Sequence, residues 1–197
     1  RSDQTSGNTV RLSEPRIQPL TDENIGDDIR SELGEQFKGH PVFNVFRTLG
    51  KSLKAYRKFM GWGGYILSSD NDLTPRDREL IILRTGYNWQ SGYEWAQHTR
   101  IGRKCGLSEE EIERTKEGPQ ATEWSSRDRA LLNATDDLTN NAFISDLNWA
   151  ALTDFSEKQR MDLVMTVGQY TQVSMMLNSF GVQLDPGYTL DPDLDGR

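Results

Sequence analysis

Residues 76–112, RDRELIILRTGYNWQSGYEWAQHTRIGRKCGLSEEEI, govern how the rest of the chain is read. Just before them stand Thr74 and Pro75, placed as a helix N-cap and first helical residue. A Thr side chain there accepts from an orphan amide, and proline's missing N–H costs nothing. Leu80, Ile81, Ile82 and Leu83 run on without a polar interruption, which predicts a helix buried on most sides. A second helix is predicted from about Ser91 to Cys105, stopped by Gly106. Ser108 followed three residues later by Glu111 is a capping box and starts a third.

The helical signal extends outward in both directions. Acidic residues open TDENIGDDIRSELGEQF, which favours a helix start. After His40-Pro41, one apolar stripe is expected through Val42, Val45, Phe46, Leu49, Leu53, Tyr56 and Met60, with Gly61, Gly63 and Gly64 loosening the next turn. SSRDRALLNATDDLTNN is amphipathic, Ser145 caps DLNWAALTDF, and Ser156 opens the longest helix, closed by Gly181. Apolar residues spread widely around that last helix, as expected for a core helix or one buried at a subunit interface. ELIILRTGY and DLVMTVGQY echo each other faintly. No alternating strand pattern is found, so the fold class is all-α. Residues 1–20 are expected to form an extended N-terminal arm, 21–182 a single helical domain, and 183–197 an acidic tail. Arms of this kind are either disordered or laid over a partner subunit.

The chain has 197 residues, a net charge of −7 and one cysteine, Cys105. An acidic chain repels phosphate backbones, so nucleic acid is not an expected partner. No apolar run approaches the roughly 20 residues of a membrane span. A lone thiol forms no disulfide within the chain, so no oxidising compartment is required. The sequence opens at Arg1 rather than Met, and no signal peptide is visible in it; the expected location is the cytoplasm.

On the helix from Ser91, positions 91, 94, 95, 98, 102 and 105 share a face. Glu94 and His98 lie one turn apart, close enough to share a proton. A neighbouring carboxylate raises the histidine pKa, and burial raises the carboxylate's, which suits general acid–base work. The same spacing also occurs in ordinary surface ion pairs. Two ligands are too few for a metal, no phosphate loop or dinucleotide fingerprint is present, and neither metal nor organic cofactor is expected. His40, beside a chain break, is expected to be structural.

This stretch resembles the carboxymuconolactone decarboxylase family, whose superfamily includes alkylhydroperoxidase D-like (AhpD-like) proteins; the resemblance runs roughly from PRIQPL to NSFGVQL. It implies an AhpD-like helical bundle with extended arms, a small-molecule substrate, and a homo-oligomer such as a dimer, trimer or hexamer. The redox branch carries Glu-x11-Cys-x-x-Cys-x-x-x-His. On that pattern Glu79 takes the acid position, His98 the histidine, and Ser91 and Glu94 stand where the two cysteines would be. Thiol chemistry needs both cysteines, so the resemblance points to the decarboxylase-type branch. It implies a cofactor-independent lyase or isomerase of aromatic-compound catabolism acting on a carboxylated lactone or enolisable substrate. His98 would donate the proton, with Glu94 and Glu79 tuning it. Arg84, rather than Arg100, would hold the substrate carboxylate, and Tyr87, Tyr93, Trp95 and Ser91 would line the pocket. The alternatives are an alkylhydroperoxidase-like oxidoreductase and a non-catalytic oligomeric binding protein.

Overall fold

The computed structural model describes residues 11–37 and 40–194. Among them are nine α-helices and no strand. The first is α1 (Asp27–Phe37), followed by α2 (Asn44–Leu49) and α3 (Leu53–Leu67). The signature segment forms α4 (Pro75–Asn88), α5 (Gly92–Lys104) and α6 (Glu109–Glu117). The remainder are α7 (Ser126–Asn141), α8 (Asp146–Ala151) and α9 (Glu157–Phe180).

Helix α4 is the axis of the molecule. Its apolar run is buried because α5, α7 and α9 surround it. Leu80, Ile81 and Leu83 enter the larger core with Trp95, Leu131, Leu163 and Val167, while Ile82 joins a second core of Ile66, Tyr93, Tyr170, Val173 and Leu177. Each such side chain contributes about 1.5–3 kcal/mol on burial. The expected start signals are met: Thr74 Oγ1 accepts from the Asp77 amide, Ser108 and Glu111 close a full capping box, and Gly181 ends α9 in the left-handed region.

The caps also build a reciprocal lock between α4 and α7. Thr74-Pro75-Arg76-Asp77 opens one helix and Ser125-Ser126-Arg127-Asp128 opens the other. Arg76 pairs with Asp128 at 2.9 Å, and Arg127 pairs with Asp77 at 2.7 Å. Each helix thus sends its arginine to the other's first-turn aspartate. This echo is closer than the one between ELIILRTGY and DLVMTVGQY, which lie on the packed helices α4 and α9.

Two expectations change. The stripe from Val42 to Met60 is not one helix, because Gly50 and Ser52 divide it. Ser52 caps α3 through the Ala55 amide, and a Cβ at Gly50 would meet Leu20 and Ile29 at 3.1 and 3.2 Å. The chain breaks where the N-terminal segment packs against it. Conversely, Gly61, Gly63 and Gly64 do not loosen anything; α3 runs through them to Leu67.

The described arms lie on this chain's own helices. The amides of Arg16 and Ile17 donate to Phe180 O, and Gln183 Nε2 donates to Leu12 O. After Gly181 the tail crosses α5 and ends in a 3-10 turn, Pro192–Leu194, whose Leu194 is fully buried in the larger core. Lys116 holds Asp191 and Asp193 of that tail.

Candidate active site

Helices α4 and α5 pack closely because residue 102 is glycine. A Cβ there would meet Leu107 at 3.1 Å and Leu83 at 3.4 Å, with Glu79 Cβ at 3.8 Å. This approach sets Glu79 of α4 behind His98 of α5. His98 Nδ1 lies 2.7 Å from Glu79 Oε2, and His98 Nε2 lies 2.9 Å from Glu94 Oε1. The first contact is a hydrogen bond. The second has the distance but not the angle of one, and Oε1 has no other partner, so that pairing is mainly electrostatic. All three side chains are buried: Glu79 is 2%, Glu94 3% and His98 6% exposed.

Burial alone would disfavour the imidazolium, but Glu79 and then Glu94 outweigh it and lift the His98 pKa to about 10. At neutral pH the ring is therefore charged and clamped between two carboxylates. Tyr170 of α9 meets it edge-on at 5.0 Å. Burial, reinforced by Glu94 and Glu79, pushes the Tyr170 phenol well above its ordinary value, so it stays protonated.

Glu94 and His98 reach a cavity of about 350 Å³ between α2, α3, α5 and α9. Its wall is largely apolar, with Phe43, Phe46, Phe59, Met60, Val173 and Leu177. Gly63 and Gly64 of α3 also line it. A Cβ on Gly63 would sit 3.5 Å from Gln169 Nε2, in ordinary contact.

The face of α5 turned to the cavity is Tyr93, Glu94, Gln97, His98 and Ile101, one step round from the expected face. Tyr93 lines the cavity and donates to Asp185 Oδ2 at 2.5 Å. Asp185 also accepts from Gln97 Nε2 and from the Asn44 amide, tying α2 to α5 beside the cavity. Trp95 instead points into the larger core, where Tyr87 packs against it at 5.7 Å. Ser91 is fully buried as the first cap of α5, and its Oγ has no hydrogen-bond partner. Arg84 stands apart from the cavity: it forks onto Asp136 at 2.6 and 2.8 Å and bonds the carbonyls of Thr115 and Lys116. Arg100 lies over the Tyr188 ring at 3.7 Å. Cys105 caps the end of α5 outside the cavity, its thiol pushed up by burial and by Glu79. So the acid–histidine–acid line is assembled, Tyr93 joins it at the cavity, and Arg84, Tyr87, Trp95 and Ser91 do not line it. Gln169 and Tyr170, absent from the sequence expectations, do.

Among the described residues no group of three or more His, Cys, Asp or Glu side chains is arranged to hold a metal ion, and no helix is long and apolar enough to cross a membrane.

Comparison with known proteins adds the following. The model of the carboxymuconolactone decarboxylase family matches residues 54–137, which include Glu79, Glu94 and His98. No functionally curated protein matches the chain. An uncharacterised peroxidase-related protein from Ralstonia eutropha, described as an alkylhydroperoxidase AhpD core, superposes with TM-score 0.73 at 22% identity, covering 92% of this chain and 95% of its own. A protein of unknown function from Agrobacterium tumefaciens, described in terms of the antioxidant defence protein AhpD, gives 0.65 at 24% identity over 70% of this chain and 94% of its own. The debrominase Bmp8 in complex with 2,3,4-tribromopyrrole gives 0.71 at 12% identity over 88% of this chain and 94% of its own. At these identities the likeness establishes a shared fold. The segment that carries the site, residues 54–137, is thus similar to the carboxymuconolactone decarboxylase family, and the fold around it is AhpD-like.

Proposed function

We propose that the chain is a cofactor-independent lyase or isomerase that moves protons on a small enolisable substrate bound in the α2–α3–α5–α9 cavity. The observation that carries this is the buried line Glu79–His98–Glu94, which ends on the floor of an apolar cavity. Glu94 meets the substrate. As a carboxylate it accepts a proton from a carbon next to a carbonyl, and returns it to the same or a neighbouring carbon. His98, charged and facing the cavity beside it, offsets the negative charge of the enolate as it forms. Glu79 fixes the ring through Nδ1 and keeps its proton in place.

A thiol–disulfide cycle within the chain lacks its parts. Ser91 and Glu94 occupy the two cysteine positions of the redox pattern, and Cys105 lies outside the cavity.

The test is hydrogen exchange followed by proton NMR in D₂O, on a panel of cyclic ketones and unsaturated lactones with and without a carboxylate. The wild type should introduce deuterium next to the carbonyl of at least one compound. Glu94→Gln should slow that by about 10²-fold or more, the usual share of a general base. No exchange anywhere in the panel, or rates in Glu94→Gln and His98→Asn equal to the wild type's, would overturn the proposal.

A further inference from the structure

We infer that the cavity selects an uncharged ring compound bearing both an O–H or N–H donor and a carbonyl acceptor, and that it rejects carboxylates. This deepens the acid–base proposal and rests on the same cavity and the same Glu94.

The charge count comes first. The buried line sets two acidic side chains, Glu79 and Glu94, against one basic one, His98. None of the residues lining the cavity is a lysine or arginine, and Arg84 is spent on Asp136. A carboxylate entering this apolar space would lose its hydration and find its one cation, His98, already held between two carboxyl groups. An uncharged molecule pays neither penalty.

The hydrogen-bond inventory then says what the neutral molecule must carry. Glu94 Oε1 lies 2.9 Å from His98 Nε2 but accepts no hydrogen bond from any described residue. A ligand O–H or N–H is the group that would fill it. Gln169 is 4% exposed, lines the cavity, and its amide bonds no described residue. Tyr170 is likewise buried at the wall, with a hydroxyl that bonds no described residue. Buried polar groups are ordinarily paired. Two unspent donors and one unspent acceptor on an apolar wall are therefore a recognition set, and a carbonyl oxygen suits the two donors. The volume lies at the lower end of small-molecule sites, which suits a ring with short substituents.

Three pyranones separate the possibilities by calorimetry and ligand-observed NMR on the full chain. Maltol carries a neutral ring, a carbonyl and an adjacent O–H. Its O-methyl ether lacks the donor, and comenic acid adds a carboxylate. The expected order is maltol tightest, with the ether and comenate each weaker by about tenfold or more. Gln169→Leu should weaken maltol by about fivefold or more while leaving the circular dichroism unchanged. Glu94→Gln should narrow the gap between comenate and maltol, because it removes one of the two acidic groups. Comenate binding as tightly as maltol, an ether that binds equally well, or no maltol binding at all would overturn the inference. Binding is read without turnover. A protein that shows this order but exchanges no C–H proton keeps the inference and loses the acid–base proposal; exchange restricted to carboxylated compounds does the reverse.

Discussion

The charge on His98 should make this protein measurably less stable as the solution turns mildly alkaline. In an unfolded chain a histidine titrates near 6.5. In the fold, Glu79 at 2.7 Å and Glu94 at 2.9 Å outweigh burial and hold the ring's proton up to about 10. Between those two values the folded state binds a proton that the unfolded state has released. The stabilisation is therefore complete below about pH 6.5 and is lost as pH rises toward 10. Each pH unit in that window removes about 1.4 kcal/mol, so about 3 kcal/mol should disappear between about pH 7 and about pH 9. The other raised groups enter later. Cys105 starts from an ordinary value of 9.0, and Tyr56, Tyr93 and Tyr170 from 10.0. Urea unfolding followed by circular dichroism at several pH values gives the slope directly, with the m-value checked for constancy. His98→Gln should flatten it. A level stability across that window, or a His98 ring signal in NMR that titrates near 6.5, would refute the clamped imidazolium.

Other outcomes follow from the packing. Asp185→Ala removes the acceptor shared by Tyr93, Gln97 and the Asn44 amide; it should cost about 2–3 kcal/mol and speed amide exchange across α2, and unchanged exchange there would remove Asp185 as the tie. Arg127→Leu strands the buried Asp77 carboxylate and should cost about 3 kcal/mol, part of it recovered by adding Asp77→Asn; strictly additive effects in urea melts would show that the pair is uncoupled. Cys105→Ser should leave turnover unchanged and shift stability by less than about 1 kcal/mol. A large loss of peroxide-dependent activity in that variant would return the thiol to the chemistry.

Helix starts were legible because they are local. A cap side chain and the amide it satisfies lie within one turn, as at Thr74, Ser108 and Ser156. The division between α2 and α3 was not, since the apolar stripe passes unbroken across it. Only the contact of Gly50 with Leu20 and Ile29 shows why the chain bends there. The pairing of Glu79 with His98 could be expected from the family pattern, but its geometry depends on the closeness that Gly102 permits. Arg84 looked available because its partner Asp136 lies on α7, far along the chain. Trp95 was placed one step wrong around α5: neighbours on a helix differ by about 100°, and that step turns it from cavity to core. Gln169 and Tyr170 were hidden because α9 is apolar on several sides, and which side meets a cavity is settled only by the helices around it.

The same geometry explains what the exchange of thiols for Ser91 and Glu94 does. The two positions are not equivalent. Ser91 is sealed beneath the start of α5, with no exposure and no bond to its Oγ, and does not touch the cavity. Glu94 opens onto it. Of the two positions, only Glu94 therefore presents a reacting group to a bound molecule, and at that point a carboxylate stands in place of a sulfur nucleophile. A carboxylate there can take and return a proton but cannot close a disulfide with Ser91. It also places a second acidic group next to His98, which adds to the larger effect of Glu79 in raising the ring's pKa. The proposed proton chemistry and the inferred preference against anionic ligands thus rest on one group, the carboxyl at position 94.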